Sequence, residues 1–344
     1  MKENKKYFLA PYVAIGYKDN ILNLGYGEIN TKIEDVMLQE AIIKICQHFK
    51  TPKYLNEVFK LNISDIVIEK CYDIITSKPY LISEEYKNLE NENRLLLDLL
   101  SKKKDPRIFL DKIKEFKVSI IGCGAIGTSV AMLLVSYGIL NFNLFDSDIF
   151  ENTNIMRCSY LNQDVIGLNK SIGLKEMLLK KNKDVNIRTH NKIFTEQNIN
   201  DISDSDLIIL SGDSTDLLMK INDISLMKEI PFITIGYAQN FAIVGPFVIP
   251  GKTSCIKCRR RKLGNKKCIN NMDINIINKG YLATATPGLV SLSATIGVNE
   301  IIKFILDENS IAENKQLAIS EFDYIIKYMN YDISNECECR KIKR

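Results

Sequence analysis

Val118-Ser119-Ile120-Ile121-Gly122-Cys123-Gly124-Ala125-Ile126-Gly127 runs an apolar strand into a helix through a glycine turn. Three β-branched apolar residues in the first four positions predict a buried strand at 118–121, and the apolar stretch that follows the turn predicts a helix over 126–137. Gly122, Gly124 and Gly127 let the backbone approach a phosphate closely, and a helix N-terminus favours negative charge. This context implies a nucleotide or dinucleotide site. The next strand, at 141–145, ends at Asp146, where a carboxylate can accept hydrogen bonds from ribose hydroxyls.

Outward from this point the texture is strand alternating with helix. Further strands are predicted at 185–189, 207–210 and 232–235, which argues for an α/β fold with a parallel sheet and helices on both faces. A strand hairpin over 316–331 makes the sheet of this Rossmann-like domain mixed. Upstream, short strands at 12–15, 21–24 and 26–29 precede helices at 36–49, 54–59 and 65–75 and an apolar piece at 80–82. That order describes a small winged-helix-like α+β domain over 1–85. Residues 86–116, mostly charged, read as a helical connector to a domain over 117–344.

Composition limits the function classes. The 344 residues are 46% apolar and 26% charged, enough to fill a substantial core. Lys plus Arg at 46 against Asp plus Glu at 42 leaves a net charge of +4, too small to imply nucleic-acid binding without a concentrated patch. No apolar run is expected to approach the roughly 18 residues of a membrane span, and the start lacks a signal-peptide stretch. Neither a membrane nor a nucleic-acid partner is therefore expected, and a cytoplasmic location is. Nine cysteines, with close pairs at Cys255/Cys258 and Cys337/Cys339, suggest metal before disulfide in a reducing compartment.

After Asp146 the chain departs from a dehydrogenase pattern. Asp146-Ser-Asp148 is followed by Asn154-Ile-Met-Arg157, then Gly167-Leu-Asn-Lys170, and later Ser211-Gly212-Asp213. These elements, with Gly245-Pro246 and Cys255-Ile-Lys-Cys258, resemble the ubiquitin-activating-enzyme superfamily, which includes the molybdopterin- and thiamine-pathway adenylating enzymes. The resemblance covers roughly residues 90 to 340. It implies binding of ATP by Gly122, Gly124, Gly127, Asp146, Asp148 and Asn154. It also implies that Arg157 and Lys170 bear on the triphosphate and that Asp213 holds Mg²⁺. Adenylation is attack of a carboxylate on the α-phosphate with loss of pyrophosphate, so its catalysis is chiefly charge neutralisation and alignment. The family often adds an arginine from the partner subunit of a homodimer. Arg94 best fits that place, and Arg107 is the rival. The family's Arg-Gln is Arg157-Cys158 here, which leaves the contacts of that glutamine without an equivalent.

Cys255 and Cys258 sit in a predicted turn as half of a tetrahedral zinc site would. The family completes the site with a second C-x-x-C, and this chain offers Cys337-Glu-Cys339, one residue shorter. Cys268 is an alternative fourth ligand, and it is also a candidate thioester nucleophile. The bland reading is four reduced thiols near the surface. Cys123 reads as packing, and His48 and His190 as residues without partners.

The order of the N-terminal elements is similar to the peptide-recognition element of enzymes that modify ribosomally made peptides. Its combination with an adenylating domain resembles the peptide-adenylating and peptide-cyclising enzymes of that class, which implies a precursor peptide bound by residues 1–85. A DNA-binding winged helix is the competing reading of that segment, though Lys44, Lys50, Lys53 and Lys60 are scattered rather than striped. Three functions compete: activation of a peptide carboxylate, activation of a ubiquitin-like sulfur carrier, and a non-catalytic nucleotide or DNA regulator.

Overall fold

The computed structural model describes residues 5–11, 13–25, 30–78, 80–84, 112–212, 214–258, 285–335, 337 and 339. The chain divides into two units, Met1–Pro106 and Arg107–Arg344. In the first, β1 (Lys6–Leu9) lies between β5 (Lys53–Tyr54) and β6 (Leu81–Ser83), while β2 (Ile15–Lys18), β3 (Ile21–Leu24) and β4 (Thr31–Ile33) form a second sheet. The β2–β3 hairpin turns at Asp19 and Asn20, whose φ values of 52° and 63° suit a two-residue turn matched to strand twist. That turn pairs Lys18 with Ile21 and fixes the register. The first strand therefore runs over 15–18 rather than the expected 12–15. The strand expected at 26–29 falls outside the described residues, and Thr31–Ile33 supplies the third strand of the sheet.

Helix α1 (Val36–His48) starts where the Asp35 carboxylate accepts from the Met37 and Leu38 amides at 2.8 and 3.2 Å, a cap worth about 1 kcal/mol. Ala41, Ile42 and Ile45 share its buried face and pack into one core with Leu22, Leu24, Phe49 and Ile68 and Ile75 of α2 (Asp65–Ser77). The segment expected as a helix at 54–59 is a 3-10 turn, Leu55–Lys60. This arrangement is the small α+β, winged-helix-like unit.

The second unit carries an eight-stranded mixed sheet in the order β14-β13-β12-β11-β10-β7-β8-β9. Its strands are β7 (Lys117–Ile121), β8 (Asn141–Phe145), β9 (Asn186–His190), β10 (Leu207–Leu210), β11 (Phe232–Ala238), β12 (Phe241–Val248), β13 (Lys315–Ser320) and β14 (Ile326–Asn330). The five from β11 to β9 are parallel, and β12, β13 and β14 are antiparallel. All four residues of β10 and four of the five in β7 are buried, as parallel strands covered on both faces require. Each of those apolar side chains contributes about 1.5–3 kcal/mol of burial. The chain moves outward from β7 through β8 to β9 and returns to β10 on the other side of β7. This reversal puts the switch point of the strand order at the carboxyl ends of β7 and β10, the place where α/β sheets bind ligands.

Of the helices α3 (Ala125–Ser136), α4 (Asn152–Ile155), α5 (Lys170–Lys181), α6 (Thr215–Lys228) and α7 (Pro287–Ile305), α3 and α7 pack together, and α7 also lies on β11 and β12. By length and composition α7 is apolar enough to cross a membrane, which corrects the expectation that no such run exists. Its buried face holds Glu300, 2% exposed, whose carboxylate accepts from Ser310 Oγ and the Ile311 amide, and Gly297, where a Cβ would collide with Ile235. Those contacts make it a helix of this protein core.

Candidate active site

The glycine turn is shaped by contact with the β10 loop. Gly122 has φ +96°, and a Cβ on it would stand 2.9 Å from the Gly212 amide nitrogen, so only glycine fits. Ser211 Oγ donates to the Gly122 carbonyl at 2.6 Å. A Cβ on Gly127 would collide with that same carbonyl, whereas one on Gly124 would meet nothing within 4 Å. Gly124 thus faces open space at the N-terminus of α3, where the first amides of a helix have no intrahelical acceptor. The arrangement offers a cradle for an anion, bounded on one side by Ser211 and Gly212.

On the other side stands Asp146. Its Oδ2 accepts from the Cys123 amide at 2.7 Å and its Oδ1 from the Asp148 amide at 2.9 Å, leaving one further lone-pair direction on each oxygen. The carboxylate therefore ties the glycine turn to the D-x-D loop while half-exposed. Cys123 is fully buried, and burial together with the Asp146 charge pushes its thiol well above the ordinary range. It is packing, as expected, and not a nucleophile.

Lys170 opens helix α5 (Lys170–Lys181) and points back across the loop: its Nζ is 2.9 Å from the Asp148 carboxylate. Asn169 caps that helix, and its role was not legible as a site residue. Asn154 closes a capping box, accepting the Glu151 amide at 2.9 Å, on the short helix α4 (Asn152–Ile155). Arg157 follows, half-buried, and its guanidinium makes no hydrogen bond or ion pair among the described residues. Cys158 is buried with Phe150, Leu161 and Val165, its Sγ 3.5 Å from Ser129 Oγ, so the position after Arg157 belongs to the core. Arg94, Arg107, Asp213 and Cys268 lie outside the described residues.

His190, expected to lack partners, has two. Its ring stacks on Phe145 at 4.1 Å with an interplanar angle of 4°, and Nδ1 is 3.5 Å from the Asp201 carboxylate. Burial lowers its pKa, against the opposing pull of Asp201. Neither the stack nor the acidic neighbour could be read from a histidine in a strand.

Cys255, Cys258, Cys337 and Cys339 converge. All are buried, and their sulfurs lie within 4.8 Å of one another. Neighbouring Sγ pairs stand at 3.9, 3.5 and 3.4 Å, close to the roughly 3.8 Å edge of a tetrahedron with 2.3 Å zinc–sulfur bonds. Burial pushes Cys255 up to about 12 and Cys339 up as well, whereas in Cys337 burial is outweighed by bonds from Cys339, Cys255 and Cys258 that hold its thiol below the ordinary range; a bound cation would favour the thiolate form of all four. The donor set fits zinc, and the shorter Cys337-Glu-Cys339 spacing does not prevent convergence. Four sulfurs leave no open coordination position, so such a metal would be structural.

Comparison with known proteins agrees with this geometry. The chain is 28% identical over 219 residues to ubiquitin-like modifier-activating enzyme 5 of Drosophila grimshawi, covering 59% of this chain and 54% of that protein. It is 29% identical over 150 residues to the sulfur carrier protein ThiS adenylyltransferase of Bacillus subtilis, covering 43% and 44%. The chain thus spans about half the length of the curated relatives it matches. A solved structure of E. coli MccB with AMPCPP and MccA superposes with a TM-score of 0.83 at 28% identity, covering 97% of this chain and 99% of MccB. PaaA superposes with a TM-score of 0.71 at 20% identity over 94% and 99%, a likeness of fold. Residues 93–341 match the model of the ThiF family, and the chain belongs to that family.

Proposed function

We propose that the protein is an ATP-dependent adenylyltransferase that activates a carboxylate of a ribosomally made precursor peptide, in the biosynthesis of a peptide natural product such as a bacteriocin. The carrying observation is the extent of the likeness to MccB, solved with MccA, which runs through both units. The ThiF match alone begins at residue 93.

In this reading a peptide carboxylate oxygen attacks the α-phosphorus of ATP. The bond to the bridging oxygen breaks and pyrophosphate leaves with the electron pair. Gly124 and the first amides of α3 receive phosphate oxygens, and Asp146 orients the ribose with Asp148 and Asn154 beside it. Lys170 and Arg157 neutralise the charge that gathers on the triphosphate. Asp213 would hold Mg²⁺, and Arg94, with Arg107 as rival, would come from the partner in a homodimer. The acyl-adenylate is then captured within the peptide, giving a nucleotide-modified or an internally cyclised product. The four-cysteine zinc site takes no part in the reaction and pins the tail to the turn at 255–258.

The first unit supports peptide binding. Every residue of β2 is exposed, and β2 is the edge of its sheet, so an extended chain can add to it by main-chain pairing. Val36 and Met37, each 65% exposed at the start of α1, offer apolar contacts to such a peptide. A second reading, activation of the C-terminus of a ubiquitin-like sulfur carrier, is favoured by the likeness to the ThiS adenylyltransferase. Incubation with ATP and a candidate precursor peptide, followed by mass measurement of the peptide, separates the two. An adenylated or dehydrated peptide supports the first reading; reaction only with a Gly-Gly-terminated protein supports the second. Deleting residues 1–85 should weaken use of the peptide far more than ATP binding.

A further inference from the structure

We infer that Asn169 is the positioning residue of the nucleotide site, holding the D-x-D loop against the start of the Lys170 helix. The inference rests on the nucleotide reading above. Asn169 is 9% exposed. Its Nδ2 donates to the carbonyls of Asp146 and Asp148 at 3.0 and 2.9 Å and to Asn191 Oδ1 at 2.7 Å. Its Oδ1 accepts from the Ser171 amide at 3.0 Å, Ser171 Oγ at 2.6 Å and the Ile172 amide at 3.4 Å. Only this orientation of the amide sets its two N–H donors among three oxygens and its own oxygen toward two backbone N–H groups.

One side chain therefore makes two distinct sets of bonds. The acceptor side is an ordinary helix N-cap, which Asp or Ser would also provide. The donor side is not capping at all, because it binds the backbone of both loop carboxylates. The Lys170 amide donates to the Asp148 carbonyl at 2.8 Å, and Lys170 Nζ reaches the Asp148 side chain. Asp146, Asp148 and Lys170 thus share one buried fastening. Asparagine supplies both halves at once: aspartate keeps the cap, loses the donors and sets a charge among carbonyl oxygens.

The test is ATP affinity of the full chain with Mg²⁺ and no peptide, measured calorimetrically for wild type, Asn169→Asp and Asn169→Ser. Binding by the wild type checks the nucleotide reading itself, and its absence would sink that reading rather than this inference alone. Both variants keep a capping oxygen and should fold, Asn169→Ser with a thermal midpoint nearer wild type and Asn169→Asp with a lower one because its charge sits among carbonyl oxygens. Their ATP affinity should fall by about tenfold. In a Lys170→Ala background the further loss from Asn169→Asp should be smaller than in wild type, because part of the effect of Asn169 runs through the lysine and the rest through the loop. Wild-type affinity in either folded variant, or fully additive losses with Lys170→Ala, would overturn the inference.

Discussion

Lys170 and Asp148 are joined twice, once by side chains with Nζ 2.9 Å from the carboxylate and once by the Lys170 amide on the Asp148 carbonyl at 2.8 Å. The lysine side chain is 16% exposed and the aspartate 68% exposed. An ion pair so open to water on one side contributes at most about 1 kcal/mol. The lysine can therefore exchange this partner for a phosphate at little cost, while the backbone bond keeps it aimed.

It follows that Lys170→Ala and Arg157→Ala should each lower ATP–pyrophosphate exchange by about 10²–10³-fold, the range found when one charge-stabilising group is removed. Asp213→Ala should do the same through loss of the metal. Thermal midpoints of the two cation variants should barely change, since Lys170 has only the exposed pair and Arg157 has no side-chain partner among the described residues. Exchange assays alongside thermal denaturation check both halves; full activity in any of the three would remove that residue from the site.

The glycines separate fold from function. Gly127→Ala drives a Cβ into the Gly122 carbonyl, and the overpacking should cost about 1–3 kcal/mol of stability. Gly124→Ala meets no protein atom within 4 Å, so the fold should be kept while ATP affinity falls. Denaturant unfolding and nucleotide titration should rank the two variants in opposite orders.

Elemental analysis should find one zinc per chain. Cys255→Ser or Cys339→Ser should release it and lower the thermal midpoint, because metal binding is folding free energy for the segments it joins. Cys268→Ser should leave zinc in place. Loss of metal in that variant would transfer a ligand position to Cys268.

His190 predicts a pH response. Its folded pKa lies below the ordinary value of 6.5 because burial disfavours the charged ring, so the unfolded chain binds the proton more readily. Stability from the neutral, stacked ring is present above 6.5 and is lost as pH falls through that value toward the folded pKa. Thermal midpoints should decline over that interval in wild type and less steeply in His190→Gln. Identical slopes would show that the ring does not titrate in this way.

Much of the second unit was legible because a buried parallel strand and a glycine turn leave strong local signals. Leu207-Ile-Ile-Leu210 has no alternative to a covered strand, and Cys255-Ile-Lys-Cys258 announces half a metal site. Strand β12 was missed, since Gly245-Pro246 inside it reads as a break. The structure explains the glycine: φ is +86°, and a Cβ would lie 2.7 Å from the Lys315 carbonyl. β1 was missed as well, being only four residues near the start. At the site, residue types with charge were readable, whereas Asn169 was not, because its partners are mostly backbone groups brought together by the fold.

The most direct test of adenylation is ATP–pyrophosphate exchange by the full chain, with Mg²⁺ and either a candidate precursor peptide or a Gly-Gly-terminated ubiquitin-like protein as acceptor. Exchange that requires the peptide, with the peptide recovered carrying an adenylyl group or lacking one water, is the predicted result. No exchange with peptide, together with full exchange supported by the ubiquitin-like protein, would contradict it.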